Sequence, residues 1–344
     1  NDPAPIISGG SAATLSADVG SYNSFNNNGL TLSDTNYTLV GGSVAATITP
    51  ATLTYTATAA ISNYGDTPVV NVGTIAGFVN NETASVLTGT PAFTTTATSS
   101  SPVGSYAITG SGFISNNYEF VQAAANATAL TIAQRNLAIS ANAQTTTYGT
   151  ALTLGTTAFS VTGLLAGDSV TAVTLLQGGN SVIPSTQTAG SYSNGIVASG
   201  ATGNGLSNYN ISYSSGDLTI NKATLTVTAD NQTRVYGDVN PSFTYTITGY
   251  QNSENATLAV ITGAPTISTT ATDTSNVSTY TITSAANNLA AANYDFSYEA
   301  GRLTVSPRPI YVTANAGQTK IYGEADGTFT YTTTAKTTDA GLLG

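Results

Sequence analysis

Acidic side chains in Gly-containing turns are the recurring residues of this sequence that could do chemistry. One group directly follows a Tyr-Gly pair (Asp66, Asp238 and Glu324), and a second lies in loops of the Gly-Leu type (Glu82, Asp168, Glu254 and Asp2). Carboxylates in repeated loops could bind Ca²⁺, which takes six to eight oxygen ligands. Each loop offers a single acid, so we favour the alternative that these carboxylates accept hydrogen bonds from turn amides.

Catalytic chemistry has little support in the composition. The 344 residues include no His and no Cys, which removes the commonest acid–base and nucleophilic arrangements. A Ser/Lys site or a pair of carboxylates stays possible, but neither recurs along the chain. We therefore expect no enzymatic activity, no catalytic residues, no metal site and no cofactor.

The tyrosines and threonines admit two interpretations each. Tyrosines next to Gly or Asn could stack on sugars, but such residues are more often core anchors whose hydroxyl satisfies a backbone group. Thr-x-Thr ladders could form a flat face that binds ice or carbohydrate. The solvent side of ordinary strands explains them without a ligand.

The positions of these residues follow a fixed period. The tyrosines of the four Tyr-Gly pairs are separated by 84, 88 and 86 residues (Tyr64, Tyr148, Tyr236 and Tyr322). Two further anchors keep the same step: Ser-Tyr or Thr-Tyr, ending at Tyr22, Tyr106, Tyr192 and Tyr280, and Asn-Tyr, ending at Tyr37, Tyr118, Tyr209 and Tyr294. Three anchors in register indicate a tandem array of similar domains of about 86 residues.

The anchors place complete repeats at residues 51–134, 135–222 and 223–307. Residues 308–344 carry the N-terminal part of a repeat and residues 1–50 the C-terminal part, and their combined length is that of one repeat. The sequence Gly341-Leu342-Leu343-Gly344 followed by Asn1-Asp2 also matches 163–168 inside a complete copy. We expect residues 308–344 to be completed by residues 1–50 of the next copy. The favoured form is a longer covalent chain; the alternative is a non-covalent filament completed head to tail, as in strand donation.

Within a repeat, the alternation of apolar residues with Thr predicts strands that are packed on one face and solvated on the other. Leu225 and Val227 alternate with threonines in this way, as do Tyr280 and Ile282. Residues 294–305 resemble a hairpin that turns at Gly301, with counterparts at 215–216 and 41–42. About six strands and no helical period predict a small sandwich-like or grasp-like all-β domain.

Adjacent repeats are joined without a flexible spacer. The last strand of one runs directly into the first strand of the next at Thr47–Leu53, Ile132–Leu137, Ile220–Leu225 and Val305–Ile310. Flexible linkers are rich in Gly and Ser, whereas extended or Pro-containing ones are semi-rigid. The sequence therefore predicts an extended rod.

Charge limits the partners of the chain. Only 7% of residues are charged, the formal net charge is −10, and the seven basic residues are scattered. We expect no binding to nucleic acid and no attachment to anionic lipid. No apolar run approaches the length of a membrane span, and the first residues do not resemble a signal peptide, so we interpret the sequence as a mature or internal segment.

The Tyr-Gly-x turn, the Gly-Leu-x-x-Gly-Asp loop, the Gly-Ser-Tyr strand and the closing Gly-x-Leu-Thr-Ile resemble the MBG domain, the type named for Tyr-Gly-x, and the related YDG repeats. The likeness covers essentially the whole chain. It implies a bacterial surface or secreted protein such as a filamentous-haemagglutinin-like adhesin. We expect an extracellular fibre or stalk that serves adhesion or biofilm-type cell connection, with neighbouring repeats or copies as head-to-tail partners. The competing hypothesis is an adhesive module that binds cell-surface glycans or calcium.

Overall fold

A computed structural model describes residues 7–9, 13–14, 16–26, 30–39 and 43–335. In these ranges the chain is all-β, as predicted, with three short 3₁₀ turns (Ala84–Val86, Ala124–Thr128 and Leu206–Asn208) and no α-helix. None of the described residues therefore lies in a helix that could cross a bilayer. The Asp2 carboxylate, the Gly41-Gly42 turn and the proposed join between residues 344 and 1 lie outside the described residues.

The N-terminal segment forms two small antiparallel sheets. Its strands are β1 (Ile7–Gly9), β2 (Ala13–Thr14), β3 (Gly20–Asn26), β4 (Thr31–Leu32) and β5 (Ser43–Ile48). Strand β3 pairs with β2 and β5, and β1 pairs with β4. The pairing of β3 with β5 brings Ser21 opposite Thr47.

The first complete repeat is built from mixed sheets. Its strands are β6 (Ala51–Thr58), β7 (Ala60–Asn63), β8 (Asn71–Ala76), β9 (Thr88–Thr94), β10 (Gly104–Tyr106), β11 (Thr109–Ile114), β12 (Tyr118–Gln122) and β13 (Leu130–Ala133). The first strand, β6, lies between β12 and β8, and the last strand, β13, lies between β10 and β7. Strands β9 and β11 pair with each other.

The second repeat follows the same plan. Its strands are β14 (Arg135–Ala141), β15 (Gln144–Thr147), β16 (Leu152–Thr153), β17 (Phe159–Thr162), β18 (Ser169–Leu176), β19 (Val182–Ile183), β20 (Gly190–Asn204), β21 (Tyr209–Ser214) and β22 (Gly216–Asn221). Strand β22 pairs in parallel with β15 and antiparallel with β20. Strands β16 and β19 form a short antiparallel pair.

The third repeat and the described residues after it, up to residue 335, contain nine strands. They are β23 (Ala223–Ala229), β24 (Gln232–Val235), β25 (Tyr245–Thr248), β26 (Thr266–Thr269), β27 (Ser278–Ala285), β28 (Tyr294–Glu299), β29 (Gly301–Ser306), β30 (Ile310–Ala314) and β31 (Tyr331–Ala335). One sheet has the order β25-β23-β28 and the other the order β24-β29-β27-β26. Strands β30 and β31 form a separate antiparallel pair.

The core of the third repeat lies between its two sheets. Leu225 and Val227 of β23 are fully buried, while the intervening threonines point away, so the predicted alternation is confirmed. Ile282 of β27 and Leu303 of β29 close the core from the other sheet. Burial of each such aliphatic side chain contributes roughly 1.5–3 kcal/mol, so the repeat has a core of its own without disulfides.

The predicted hairpin at 294–305 is wrong. Strand β28 pairs in parallel with β23, whereas β29 pairs with β24 and β27 in the other sheet, so the chain changes sheets at Ala300. Gly301 is required by close approach and not by turn geometry, because a Cβ there would lie 2.3 Å from the carbonyl oxygen of Ala229. Gly216 in the preceding repeat has the same role, since its Cβ would lie 2.6 Å from the carbonyl oxygen of Ala141.

Residue contacts divide the chain into two compact units. One comprises Asn1–Ile139, Val161–Thr171 and Thr202–Ser212, and the other Ser140–Ser160, Ala172–Ala201 and Tyr213–Gly344. The middle repeat contributes to both units, so a compact unit is not the same as a sequence repeat. As a result, the place where repeat 51–134 meets repeat 135–222 lies inside the first unit, and the place where repeat 135–222 meets repeat 223–307 lies inside the second.

Candidate functional site: the junction between repeats

The recurring residues of the sequence converge where one repeat meets the next, a region we call the junction. In the first junction, the ring of Tyr64 from the Tyr-Gly pair packs edge-on against Tyr209 of the following repeat, with 5.6 Å between ring centroids. The Tyr209 hydroxyl donates a hydrogen bond to Oδ2 of Asp168 at 2.6 Å and accepts one from the Leu165 amide at 3.0 Å. An aromatic pair over a carboxylate thus joins the two repeats.

The second junction repeats this arrangement. Tyr148 packs edge-on against Tyr294 with centroids 5.4 Å apart. Both hydroxyls donate to the carboxylate of Glu254, at 2.6 Å each, and the Gln251 amide donates to the Tyr294 hydroxyl at 2.8 Å. Such edge-to-face pairs add about 0.5–1.5 kcal/mol beyond the area that they bury.

Local structure explains how these side chains are positioned. Tyr209 directly follows the 3₁₀ turn Leu206–Asn208 and begins β21, so its ring leaves the end of a strand. The Gly-Leu loop reverses at Gly163 and Gly167, both at positive φ, and this reversal brings Asp168 back towards Tyr209. In the other partner, Gly65 has a φ of 90°, which lets the chain turn directly after Tyr64.

In the three complete repeats, the Asn of the Asn-Tyr pair bonds to the segment that precedes its repeat. Its Oδ1 accepts the amide of the residue just before the Gly-Ser-Tyr strand of the preceding repeat: Val103 to Asn208 at 3.0 Å and Ala189 to Asn293 at 3.0 Å. Val19 donates to Asn117 in the same way at 2.9 Å. The second and third anchors of the period are therefore partners of each other.

The acid after Tyr-Gly forms an ion pair at the rim of the junction. Asp66 pairs with Arg135, the first residue of the next repeat, with 3.1 Å between Oδ1 and the guanidinium. Asp238 pairs with Arg308 in the equivalent place. In the second repeat, Thr150 replaces the acid and Ala223 replaces the arginine, so acid and arginine are absent together there.

Burial and the carboxylates hold the tyrosines in the protonated form. Burial, followed by the hydrogen bond to Asp168, raises the pKa of Tyr209 to about 12, and burial with Glu254 raises that of Tyr294 to about 12. The pKa values of Tyr64 and Tyr148 are raised as well, first by burial and then by the same two acids. A tyrosinate beside a carboxylate would be repelled, so the hydroxyls stay donors over the physiological range.

The structure confirms one of the two predicted roles and corrects the other. The Asn-Tyr tyrosines of the three complete repeats are buried anchors whose hydroxyls accept backbone amides, as expected, and Tyr118 accepts that of Val79. Among the Tyr-Gly tyrosines, Tyr148 is buried, Tyr64 is half-buried and Tyr322 is exposed. The prediction that the acids accept turn amides is wrong for the side chains whose bonds the structure records. Glu82, Asp168 and Glu254 accept tyrosine hydroxyls, and Asp66 and Asp238 accept arginine.

A signal for the acid–tyrosine contact was present in the sequence. Each loop acid precedes an Asn-Tyr tyrosine by a similar distance, 36, 41 and 40 residues in the three complete repeats. An acid and a tyrosine that recur at a similar spacing in every repeat indicate that the two side chains lie near each other. Within the described ranges, no three acids come together as a possible metal-binding group.

The family model of the MBG domain, YGX type, matches the chain three times, at residues 53–128, 137–219 and 225–304. No curated protein and no solved structure matches the chain significantly. The matched ranges include the loop acids and the Asn-Tyr tyrosines of all three junction-forming repeats. This chain belongs to the MBG domain family of the YGX type.

Proposed function

We propose that this chain is a structural segment of an extracellular bacterial fibre or adhesin stalk, which projects an adhesive region or connects cells as in a biofilm. The observation that carries the proposal is the use of the recurring side chains. Tyrosines, loop acids and asparagines that recur at every period form contacts between repeats. MBG repeats are also typical of surface adhesin-like proteins.

The connections between repeats support a stiff array. A single residue, Gln134, separates β13 from β14, and a single residue, Lys222, separates β22 from β23. Both are tied to the next repeat, since Gln134 donates to the carbonyl of Ser207 and Lys222 to that of Ala291. A connector this short, fixed on both sides by aromatic and polar contacts, resists bending better than a Gly/Ser linker.

Competing uses of the same residues would require them to be open to a ligand. Of the tyrosines considered as sugar platforms, Tyr148, Tyr209 and Tyr294 are buried in the two junctions. The acids of those junctions hold hydroxyls or guanidinium groups. The proposal therefore assigns the chain no enzymatic role and gives its repeats each other as principal partners.

Immunogold labelling of intact cells with an antibody raised against this chain tests the proposal. Label on the outer surface or along fibres is expected, and surface proteolysis should release fragments of the chain. Label confined to permeabilised cells would overturn the extracellular role. Denaturing electrophoresis of the same material distinguishes a long covalent chain from separate subunits of 34.6 kDa.

A further inference from the structure

A pocket beside Tyr118 has the form of a junction that lacks one of its tyrosines. Its volume is about 180 Å³, and its lining includes Asp18, Val19, Ile48, Val79, Glu82 and Tyr118. The pocket is smaller than the roughly 300–1,000 Å³ of typical small-molecule sites. Its size suits a single side chain better than a ligand.

Three of the junction contacts are already present at this pocket. Asn117 accepts the Val19 amide, as Asn208 and Asn293 accept theirs. The Tyr118 hydroxyl donates to Oε2 of Glu82 at 2.6 Å and accepts the Val79 amide. In the described part of the chain, no Tyr-Gly tyrosine packs on Tyr118 as Tyr64 packs on Tyr209.

The acid at this pocket has an acceptor to spare. In the second junction, Glu254 uses Oε2 for the Asn-Tyr tyrosine and Oε1 for the Tyr-Gly tyrosine. Among the described residues, only Tyr118 donates to the Glu82 carboxylate, through Oε2. Oε1 of Glu82 is therefore available to accept a hydrogen bond from a second tyrosine hydroxyl.

The Tyr-Gly turn at 320–324 has a tyrosine that is not packed against an Asn-Tyr tyrosine in the described part of the chain. Tyr322 is fully exposed, with a relative exposure of 103%, whereas Tyr148 in the same motif is buried. Gly323 has a φ of 93°, close to the 90° and 92° of Gly65 and Gly149, so the turn already has the shape found in the filled junctions.

The strands beside this turn also present an uncovered apolar face. Strands β30 and β31 pair in the register of β23 and β25, since Ala314 lies opposite Tyr331 as Ala229 lies opposite Tyr245. Ile310 and Val312 are 52% and 65% exposed, while the equivalent Leu225 and Val227 are fully buried. In a complete repeat this face is covered by the sheet that contains β27 and β29.

The N-terminal segment supplies the strands that would cover it. Ser21 of β3 lies opposite Thr47 of β5, just as Thr279 of β27 lies opposite Thr304 of β29. These two strands lead directly to the pocket, because Val19 and Ile48 at their ends line it. A segment 308–335 docked on β3 and β5 would bring its Tyr-Gly turn to Tyr118.

We infer that the pocket at Tyr118 is a docking site for the Tyr-Gly turn of a second copy of this chain. Tyr322 of that copy packs edge-on against Tyr118 and donates its hydroxyl to Oε1 of Glu82. Gly323 lies against Val79, because in the filled junctions a Cβ on the turn glycine would overlap Leu165 or Gln251, the residues equivalent to Val79. The inference rests on the proposed stalk for its head-to-tail arrangement but not for its extracellular location.

Site-specific photocrosslinking of the full chain tests the inference. The photoreactive residue p-benzoylphenylalanine replaces Tyr322, and in a matched control it replaces Tyr245, which is also exposed and lies outside the docking segment 308–335. Protein concentrations on the order of 1 mM detect even weak association. Irradiation is expected to yield a covalent dimer for position 322, with the adduct mapped by mass spectrometry to residues 79–82 and 117–118.

A blocking variant completes the test. Val79→Arg should abolish the dimer, while Val72→Arg, at another exposed valine of the same repeat, should leave the yield unchanged. Both positions are exposed, so folding is retained, and circular dichroism checks it. Equal yields from positions 245 and 322, adducts on other repeats, or a dimer insensitive to Val79→Arg would each overturn the inference. Surface labelling fails or succeeds independently of this result.

Discussion

The two filled junctions share a centre and differ at the rim. Both place a Tyr-Gly tyrosine edge-on to an Asn-Tyr tyrosine above a carboxylate, with nearly equal ring distances of 5.6 and 5.4 Å. At the rim, the first junction has the Asp66–Arg135 ion pair, and the second has Thr150 and Ala223 in those places. The aromatic centre is thus the common element, and the ion pair is an optional addition.

The choice of acid also differs between the two centres. Glu254 accepts both tyrosine hydroxyls at 2.6 Å, whereas Asp168 accepts that of Tyr209 at 2.6 Å and, after burial, raises the pKa of Tyr64. The longer side chain reaches two donors at once. In the second junction, one carboxylate therefore makes both polar contacts. In the first junction, Asp168 makes one polar contact at the centre and the Asp66–Arg135 ion pair makes another at the rim.

Truncation of the Asn-Tyr tyrosine should lower the free energy of unfolding more than any other change, and by a similar amount in both junctions. Tyr209→Ala and Tyr294→Ala each remove a buried ring, and large-to-small changes of this kind cost about 3–5 kcal/mol. Urea unfolding followed by tyrosine fluorescence measures the loss, since the chain has no Trp. Tyr311→Ala is the exposed control. A loss no larger than that of the control would show that the aromatic centre does not stabilise the junction.

Removal of the acid should separate the two junctions. Glu254→Ala leaves two buried hydroxyls without an acceptor, and Asp168→Ala chiefly affects one, so we expect the greater loss at Glu254. Each unsatisfied group costs roughly 1–3 kcal/mol. Glu254→Gln and Asp168→Asn keep an acceptor oxygen and should lose less in the same urea experiment. Equal losses at the two sites would contradict the division of roles described above.

The sequence predicted the strands and the anchors but not their partners. The alternation of Leu225 and Val227 with threonines is a local property, and it correctly indicated which face is buried. The pairing of β28 with β23, and not with β29, depends on contacts about 70 residues apart. Local pattern cannot specify such contacts, which is why a sheet-changing corner at Ala300 resembled a hairpin.

The acids show the same limit at the candidate site. An Asp or Glu in a Gly-rich loop usually bonds to nearby amides, which is why the sequence alone favours that role for the loop acids. The actual donor to Glu254 from the preceding repeat is Tyr148, 106 residues away. Only the shared period linked these two residues, and a period shows that positions are equivalent without showing that they touch.

The pH dependence of the junctions should follow the tyrosines. Because the folded pKa values of Tyr209 and Tyr294 are raised to about 12, from the ordinary tyrosine pKa of about 10, their contribution to stability is fully present below pH 10 and is lost as pH rises through 12. A spectrophotometric titration of tyrosinate should show a late component near pH 12. Tyr209→Phe and Tyr294→Phe should each remove part of it.

The rim ion pair should matter least, and its contribution should depend on burial. The Arg135 side chain is about one-third exposed, so Arg135→Gln should cost only about 0–1 kcal/mol. The Arg308 side chain is largely buried beside the half-exposed Asp238, and Arg308→Gln should cost more, because solvent screens a partly buried pair less than an exposed one. The double variant Asp66→Thr with Arg135→Ala makes the first junction resemble the second, and it should be no less stable than Arg135→Ala alone. A much lower free energy of unfolding for the double variant than for Arg135→Ala would contradict this expectation. It would show that the Asp66 side chain stabilises the junction without its arginine partner.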